Sequence, residues 1–148
     1  MNDVDPKERL EPFAALIGDW STEPTHPVFG DSVVPGRAPF QWLADERFLI
    51  QSGENEHAAF PDSICVIGVM ECDEDLSMQY FDSRGIHRLY RIGFDGTELR
   101  IWRDAPGFAQ RLTAKLSADG STPEGVWKLN EDDAGFRDDL GITYRRSP

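Results

Sequence analysis

The chain has 148 residues, enough for one domain with a real core but not for two. With 39% hydrophobic, 28% charged and 11% aromatic residues it is globular in composition and lies outside the pattern of disorder. Fifteen basic residues against 27 acidic ones leave a net charge of -12, which repels phosphate backbones and anionic lipid and argues against nucleic-acid partners.

Residues 1–8 are polar and are expected to be frayed. Met1 to Asp5 has neither the basic start nor the apolar core of a signal peptide, and no window reaches the apolar length of a membrane-spanning helix, so a cytoplasmic location without membrane insertion is predicted. Over residues 9–17, Leu10, Phe13, Leu16 and Ile17 form one apolar helical stripe, which predicts a short helix leading into a sheet.

From Gly18 onward, short apolar runs of strand length recur about every ten residues. They predict ten strands over 18–25, 36–43, 47–53, 63–71, 77–82, 86–94, 97–103, 108–117, 122–129 and 136–146. The breaks carry turn chemistry: Asp95-Gly96 and Asp119-Gly120 supply the positive dihedrals of tight hairpins, and Ser83-Arg84-Gly85, Ala105-Pro106-Gly107 and Asp133-Ala134-Gly135 read as loops. Short connections force antiparallel neighbours, and ten strands avoid free edges by closing. The expected fold is all-β: a single domain over 9–148, an up-and-down ten-stranded barrel whose N-terminal helix plugs one end. The alternative is a two-sheet sandwich.

Period-two reading assigns the inner wall. In the last strand the even residues Phe136, Asp138, Leu140, Ile142, Tyr144 and Arg146 are expected inside. In 108–117 the inward set is Phe108, Gln110, Leu112, Ala114 and Leu116. For 86–94 the aromatic set, Arg88, Tyr90, Ile92 and Phe94, is favoured over His87, Leu89 and Arg91.

Gly18-Asp19-Trp20 resembles the GxW start of calycins, the superfamily of lipocalins, fatty-acid-binding proteins and nitrobindins. Together with Leu16-Ile17, Tyr80-Phe81-Asp82-Ser83-Arg84-Gly85, Pro106-Gly107-Phe108-Ala109-Gln110-Arg111 and Tyr144-Arg145-Arg146, it is similar to small bacterial calycin-like proteins without a settled activity. The resemblance implies a barrel end closed by Trp20 and stacked on by Arg145 or Arg146. Fatty-acid-binding proteins hold a carboxylate with Arg-x-Tyr near the last strand, and here the order is reversed, Tyr144-x-Arg146. Nitrobindins bind haem through a late His, whereas no His follows His87.

A barrel of this width has room for a small ligand. The leading reading is therefore binding of a small apolar or amphipathic molecule with an anionic or hydrogen-bonding end. Arg88, Tyr90, Gln110, Tyr144 and Arg146 would orient the polar end, and Trp42, Phe108, Leu140 and Ile142 would touch the apolar part. Arg146 has a competing role, packing on Trp20 at the rim. Trp102, Trp127, Tyr80 and Phe40 offer further aromatic faces.

An enzyme of cyclase, isomerase or hydratase type is the alternative, with Asp82, Tyr90 or His26 as acid or base and Asp82 facing Arg88 or His87 across a hairpin. A filled structural or interaction barrel is the third reading. His26, His57 and His87 lack ligand spacing, and Cys65 and Cys72 form no CxxC or zinc framework and are not placed for a mutual disulfide, so neither metal nor cofactor is expected. Cys65 reads as a small core residue. A homodimer is compatible with the composition.

Overall fold

The structure is a computed structural model that describes residues 5–25, 35–55, 61–70, 75–116, 124–131 and 135–146; for 24–25, 124, 131 and 137–140 it describes the backbone. Asp119-Gly120, Asp133-Ala134, His26, His57, Cys72 and the stretches 26–34 and 56–60 lie outside the described residues.

The N-terminal segment turns helical at Pro6, earlier than expected. Helix α1 (Pro6–Leu10) is capped by Asp5, whose side chain accepts from the Lys7 N–H at 3.0 Å, and it runs into a 3-10 helix over Glu11–Leu16. The stripe explains the change of helix type. Leu10, Phe13 and Leu16 are spaced by three, the 3-10 period, so all three are buried on one face.

Eleven strands come after it: β1 (Trp20–Thr25), β2 (Gly36–Arg37), β3 (Phe40–Leu43), β4 (Phe48–Asn55), β5 (Ser63–Val69), β6 (Leu76–Asp82), β7 (His87–Phe94), β8 (Glu98–Arg103), β9 (Phe108–Lys115), β10 (Glu124–Glu131) and β11 (Arg137–Arg146). Each pairs antiparallel with its neighbour in the order β2-β1-β11-β10-β9-β8-β7-β6-β5-β4-β3, and a β2–β4 pairing closes the sheet. The barrel is thus ten-stranded with one extra short strand, because β2 and β3 run along a single course. Gly36 opposes Asn55 and Phe40 opposes Gln51 in one uninterrupted register. Pro39 has no N–H to give the ladder, so the course is split there. At the split the Ala38 N–H turns to Trp20 O on β1 (2.8 Å), and Pro39 O accepts from Ser52 on β4 (3.1 Å).

The Asp95-Gly96 turn behaves as its composition predicts. Gly96 takes φ +97°, and the Asp95 carboxylate accepts from the N–H groups of Thr97 (2.8 Å) and Glu98 (2.7 Å). The β3–β4 hairpin instead uses three consecutive non-glycine residues at positive φ: Ala44, Asp45 and Glu46. Left-handed backbone costs such residues roughly 1–2 kcal/mol each. Asp45 ties the turn to α1 through Lys7 Nζ (3.2 Å), and Arg47 reaches the same oxygen (3.2 Å).

Alternation places the core inside the barrel. Tyr90, Ile92 and Phe94 are buried while His87 and Leu89 are exposed; Leu112 and Ala114 are buried between exposed Arg111, Thr113 and Lys115. The inward expectation fails at the start of the last strand, for Phe136 and for Asp138. The β10–β11 register shifts between Trp127 and Lys128, so that Leu140 opposes Trp127 but Asp138 opposes Lys128 and Asp139 is the extra residue. This bulge inverts the parity of the strand's first residues. Phe136, expected inside, is exposed and lies under Arg111 of the outer face, 4.1 Å from its ring.

One end of the barrel is filled. Trp20 is 1% exposed and donates its indole N–H to Leu16 O (2.8 Å); Phe13 packs on Phe94 at 5.6 Å. Among the described residues, no helix is long and apolar enough to cross a membrane.

Candidate functional site

Inward side chains along neighbouring strands grade from apolar at the plugged end to polar at the other. On β7 the inward order is Phe94, Ile92, Tyr90, Arg88; on β6 it is Leu76, Met78, Tyr80, Asp82. Between them the interior is hollow, with a cavity of about 280 Å³. Cys65, Met78, Ile101, Leu112, Trp127 and Ile142 give it apolar walls. Its polar groups are Gln51, Asn55, Ser63, Tyr80 and Arg84 on β4–β6 and the turn after β6, with Arg88, Tyr90, Gln110 and Tyr144 on β7, β9 and β11. Toward the plug only about 20 Å³ remains, between Leu16, Trp20, Phe40, Phe94, Leu99 and Tyr144.

A larger recess of about 630 Å³ lies along β7–β9 near Gly93, Trp102 and Arg111. It opens broadly to solvent. Its charged groups already face one another, Arg100 with Glu98 at 2.6 Å and Arg111 with Asp104 at 3.9 Å. The interior cavity is the better candidate because it holds charge that has no carboxylate partner among the described residues.

Chief among these is Arg88. Its guanidinium carbon lies 5.0 Å from the centroid of Phe108, and Arg103 approaches the same ring at 5.9 Å. Both arginines are half-buried, and among the described residues neither has a carboxylate within 4.0 Å. Beside them Tyr90 donates its hydroxyl to Gln110 Oε1 at 2.6 Å. Burial pushes the Tyr90 phenol up, and hydrogen bonding with the Arg88 guanidinium, followed by the positive charges of Arg88 and Arg103, pulls against that shift. Gln110 sits directly opposite Arg103 in the β8–β9 register.

Asp82 is held differently from expectation. Its carboxylate accepts from Arg84 Nη2 (2.7 Å) and Nε (3.2 Å), from the Tyr80 hydroxyl (2.8 Å), and from the backbone N–H groups of Arg84 (2.9 Å) and Ile86 (3.3 Å). These donors, Arg84 first, hold the carboxyl well below the usual carboxylate range. Burial and the neighbouring carboxylate raise the Tyr80 phenol. Neither Arg88 nor His87 is its partner. His87 belongs to the opposite face, where it stacks on Phe81 (4.4 Å between centroids) with Nε2 3.3 Å from Gln79 Oε1. An imidazole outside and a carboxylate inside cannot form a general-base pair, and a carboxylate with this many donors does not take up a proton near neutral pH.

Of the residues singled out in the sequence, the structure brings Arg88, Tyr90, Gln110, Ile142 and Tyr144 to the cavity, with Phe108 beneath Arg88. Desolvation pushes the Tyr144 phenol up to about 12. Trp42 is half-buried, opposite Leu49, and packs against the core. His26 and the Leu140 side chain lie outside what is described.

Arg146 is not part of the site. It lies over Trp20 at 4.2 Å and donates to Ile17 O (2.8 Å) and Ala15 O (2.5 Å) at the plugged end. Tyr144 and Arg146 do share a face, but their two-residue spacing along the strand puts one at the cavity and the other at its lid.

Sequence reasoning passed over Arg103 as a site residue, along with Gln51, Asn55 and Ser63. Period two carries them inward with the buried residues of their own strands, Arg103 with Leu99 and Ile101, Gln51 and Asn55 with Leu49, and Ser63 with Cys65 and Ile67, a signal available in the sequence.

No family model matches the chain, and no curated protein matches it. Among solved structures it is similar to the crystal structure of Rv2717c from M. tuberculosis, with a TM-score of 0.67 at 13% identity, covering 97% of this chain and 100% of that one. At that identity the likeness shows the fold, a closed antiparallel barrel.

Proposed function

We propose that this chain is a calycin-like binding protein, holding in its barrel a small, largely apolar molecule with an anionic or hydrogen-bonding end. The observation that carries the reading is Arg88: a half-buried guanidinium facing a cavity of about 280 Å³ with no acid beside it among the described residues. A cation in partly dry surroundings is costly unless compensated, and a ligand anion supplies that compensation. Apolar walls on Trp127, Ile142, Leu112 and Ile101 supply the remaining contact area. The polar groups cluster at the end away from the plug, so the ligand would lie with its polar end outward.

The test is native mass spectrometry of the protein purified from its own host, followed by extraction and identification of the molecule that comes off. A bound organic molecule that survives desalting and raises the melting temperature on re-addition supports the reading. Repeatedly empty protein whose melting temperature no lipophilic probe shifts refutes it.

A further inference from the structure

Two arginines approach Phe108, and among the described residues the fold gives neither an acid. Arg88 and Arg103 stand on the adjacent strands β7 and β8, and both guanidinium groups reach the ring of β9's first residue. A phenylalanine face offsets only about 0.5–1 kcal/mol per cation at a partly exposed site. Other arginines of the chain do have an acid in reach: Arg84 with Asp82, Arg100 with Glu98, Arg111 with Asp104. The Arg84–Asp82 pair is neutral in sum, so the polar end of the cavity keeps the positive charge of Arg88, with Arg103 approaching the same Phe108 ring.

From this we infer that the cavity selects small amphipathic carboxylates, with the carboxylate ion-paired to Arg88 beside Phe108 and the body directed toward Trp127 and Ile142. Arg103 adds a second positive charge. The inference rests on the reading of the cavity as a binding site and adds to it the head group and a size limit. The volume of about 280 Å³, at ~30 Å³ per water, equals roughly nine waters and lies at the small end of ligand pockets. It accommodates a bicyclic or medium-chain body and not an enclosed long-chain fatty acid.

The experiment titrates the full chain with 2-naphthoate, its neutral isostere 2-naphthamide, 2-naphthyl phosphate and palmitate, read by calorimetry and by melting temperature. 2-Naphthoate is expected to bind at least about tenfold more tightly than 2-naphthamide, since a charge-assisted pair is added to the same apolar contact. Arg88→Met should erase that ratio by weakening 2-naphthoate far more than 2-naphthamide, and Arg103→Met should reduce it by a smaller factor.

Should Arg88→Met melt early, the unmodified chain provides the same reading. Salt raised from ~50 to ~500 mM should weaken 2-naphthoate several-fold and leave 2-naphthamide alone. Equal binding of acid and amide, or a ratio indifferent to Arg88 and to salt, overturns the head-group inference and leaves the cavity reading standing. Tighter binding of the phosphate overturns the carboxylate as the preferred head group, and tighter binding of palmitate overturns the size limit. If neither naphthalene compound binds or shifts the melting temperature, the cavity reading falls, and the inference with it.

Discussion

Both ends of this barrel carry a guanidinium over an aromatic ring, and the two pairs are in opposite situations. At the plugged end Arg146 lies 4.2 Å from Trp20, with the carbonyls of Ala15 and Ile17 accepting its N–H groups. At the other end Arg88 lies 5.0 Å from Phe108 and has no carboxylate beside it among the described residues. The same chemistry serves closure in one place and is left over in the other. A cation–ring contact therefore says little by itself; the remaining N–H groups of the guanidinium decide whether it belongs to the fold or is available to a ligand.

Substitutions at the two ends can break this contrast. The largest effect is expected from Trp20→Ala, which empties the plug: about 3–5 kcal/mol of stability, measured by denaturant unfolding. A loss below about 1 kcal/mol would mean that the plug is not where stability is concentrated.

Alkaline titration comes next. Tyr80, Tyr90 and Tyr144, the three tyrosines of the chain, all face the cavity with raised phenols. A group whose folded-state pKa lies above its unfolded value of about 10 stabilises the fold fully below that pH and loses the contribution as pH climbs to the folded value. Stability should therefore fall from about pH 10 toward pH 12, with the phenolate absorbance of the native protein delayed into the same window. For Tyr144, at about 12, the loss is about 3 kcal/mol at most. Phenolate absorbance at the usual midpoint in the folded protein would contradict the buried placement.

Arg146→Met should cost about 1–2 kcal/mol, since it removes the stacked cation and two charge-assisted hydrogen bonds. The smallest effect is assigned to Arg88→Met, within about 0.5 kcal/mol of the parent, because no ionic partner is orphaned by it. If thermal unfolding shows equal losses for the two arginines, the distinction between closure and site disappears.

How much could be read from the sequence differs between these ends for physical reasons. The strand map was legible because turn chemistry and period two agree along most of the chain, as in β9, where Leu112 and Ala114 alternate with Arg111, Thr113 and Lys115. The plug was legible through Leu10, Phe13 and Leu16, though the spacing of three makes it partly 3-10 and not one longer helix. The stacking of Arg146 on Trp20 was carried by resemblance and not by spacing.

The mouth was harder. Asp82 is captured by Arg84 two residues away, through a turn whose backbone N–H groups also reach it, and an alternating pattern does not reveal a side chain that curls back on its own hairpin. The meeting of Arg88, Arg103 and Phe108 depends on the registers of two successive hairpins, and an error of one residue in either would send one of them outside.

The bulge opposite Trp127 has a consequence for how this chain tolerates change. Asp139 is a spacer: on one side of it β11 sends even-numbered residues inward, and on the other Phe136 is outside. The assignment of inside and outside in that strand is stored in a residue count as well as in residue identity. Deleting the spacer would leave a regular ladder with Asp138 still opposite Lys128 and Arg137 still opposite Leu129, whereas keeping Asp139 and pairing it with Lys128 would exchange the two faces over that stretch, as a frameshift does in a reading frame. Removal of the spacer is thus a smaller disturbance to this strand than loss of the bulge with the residue kept.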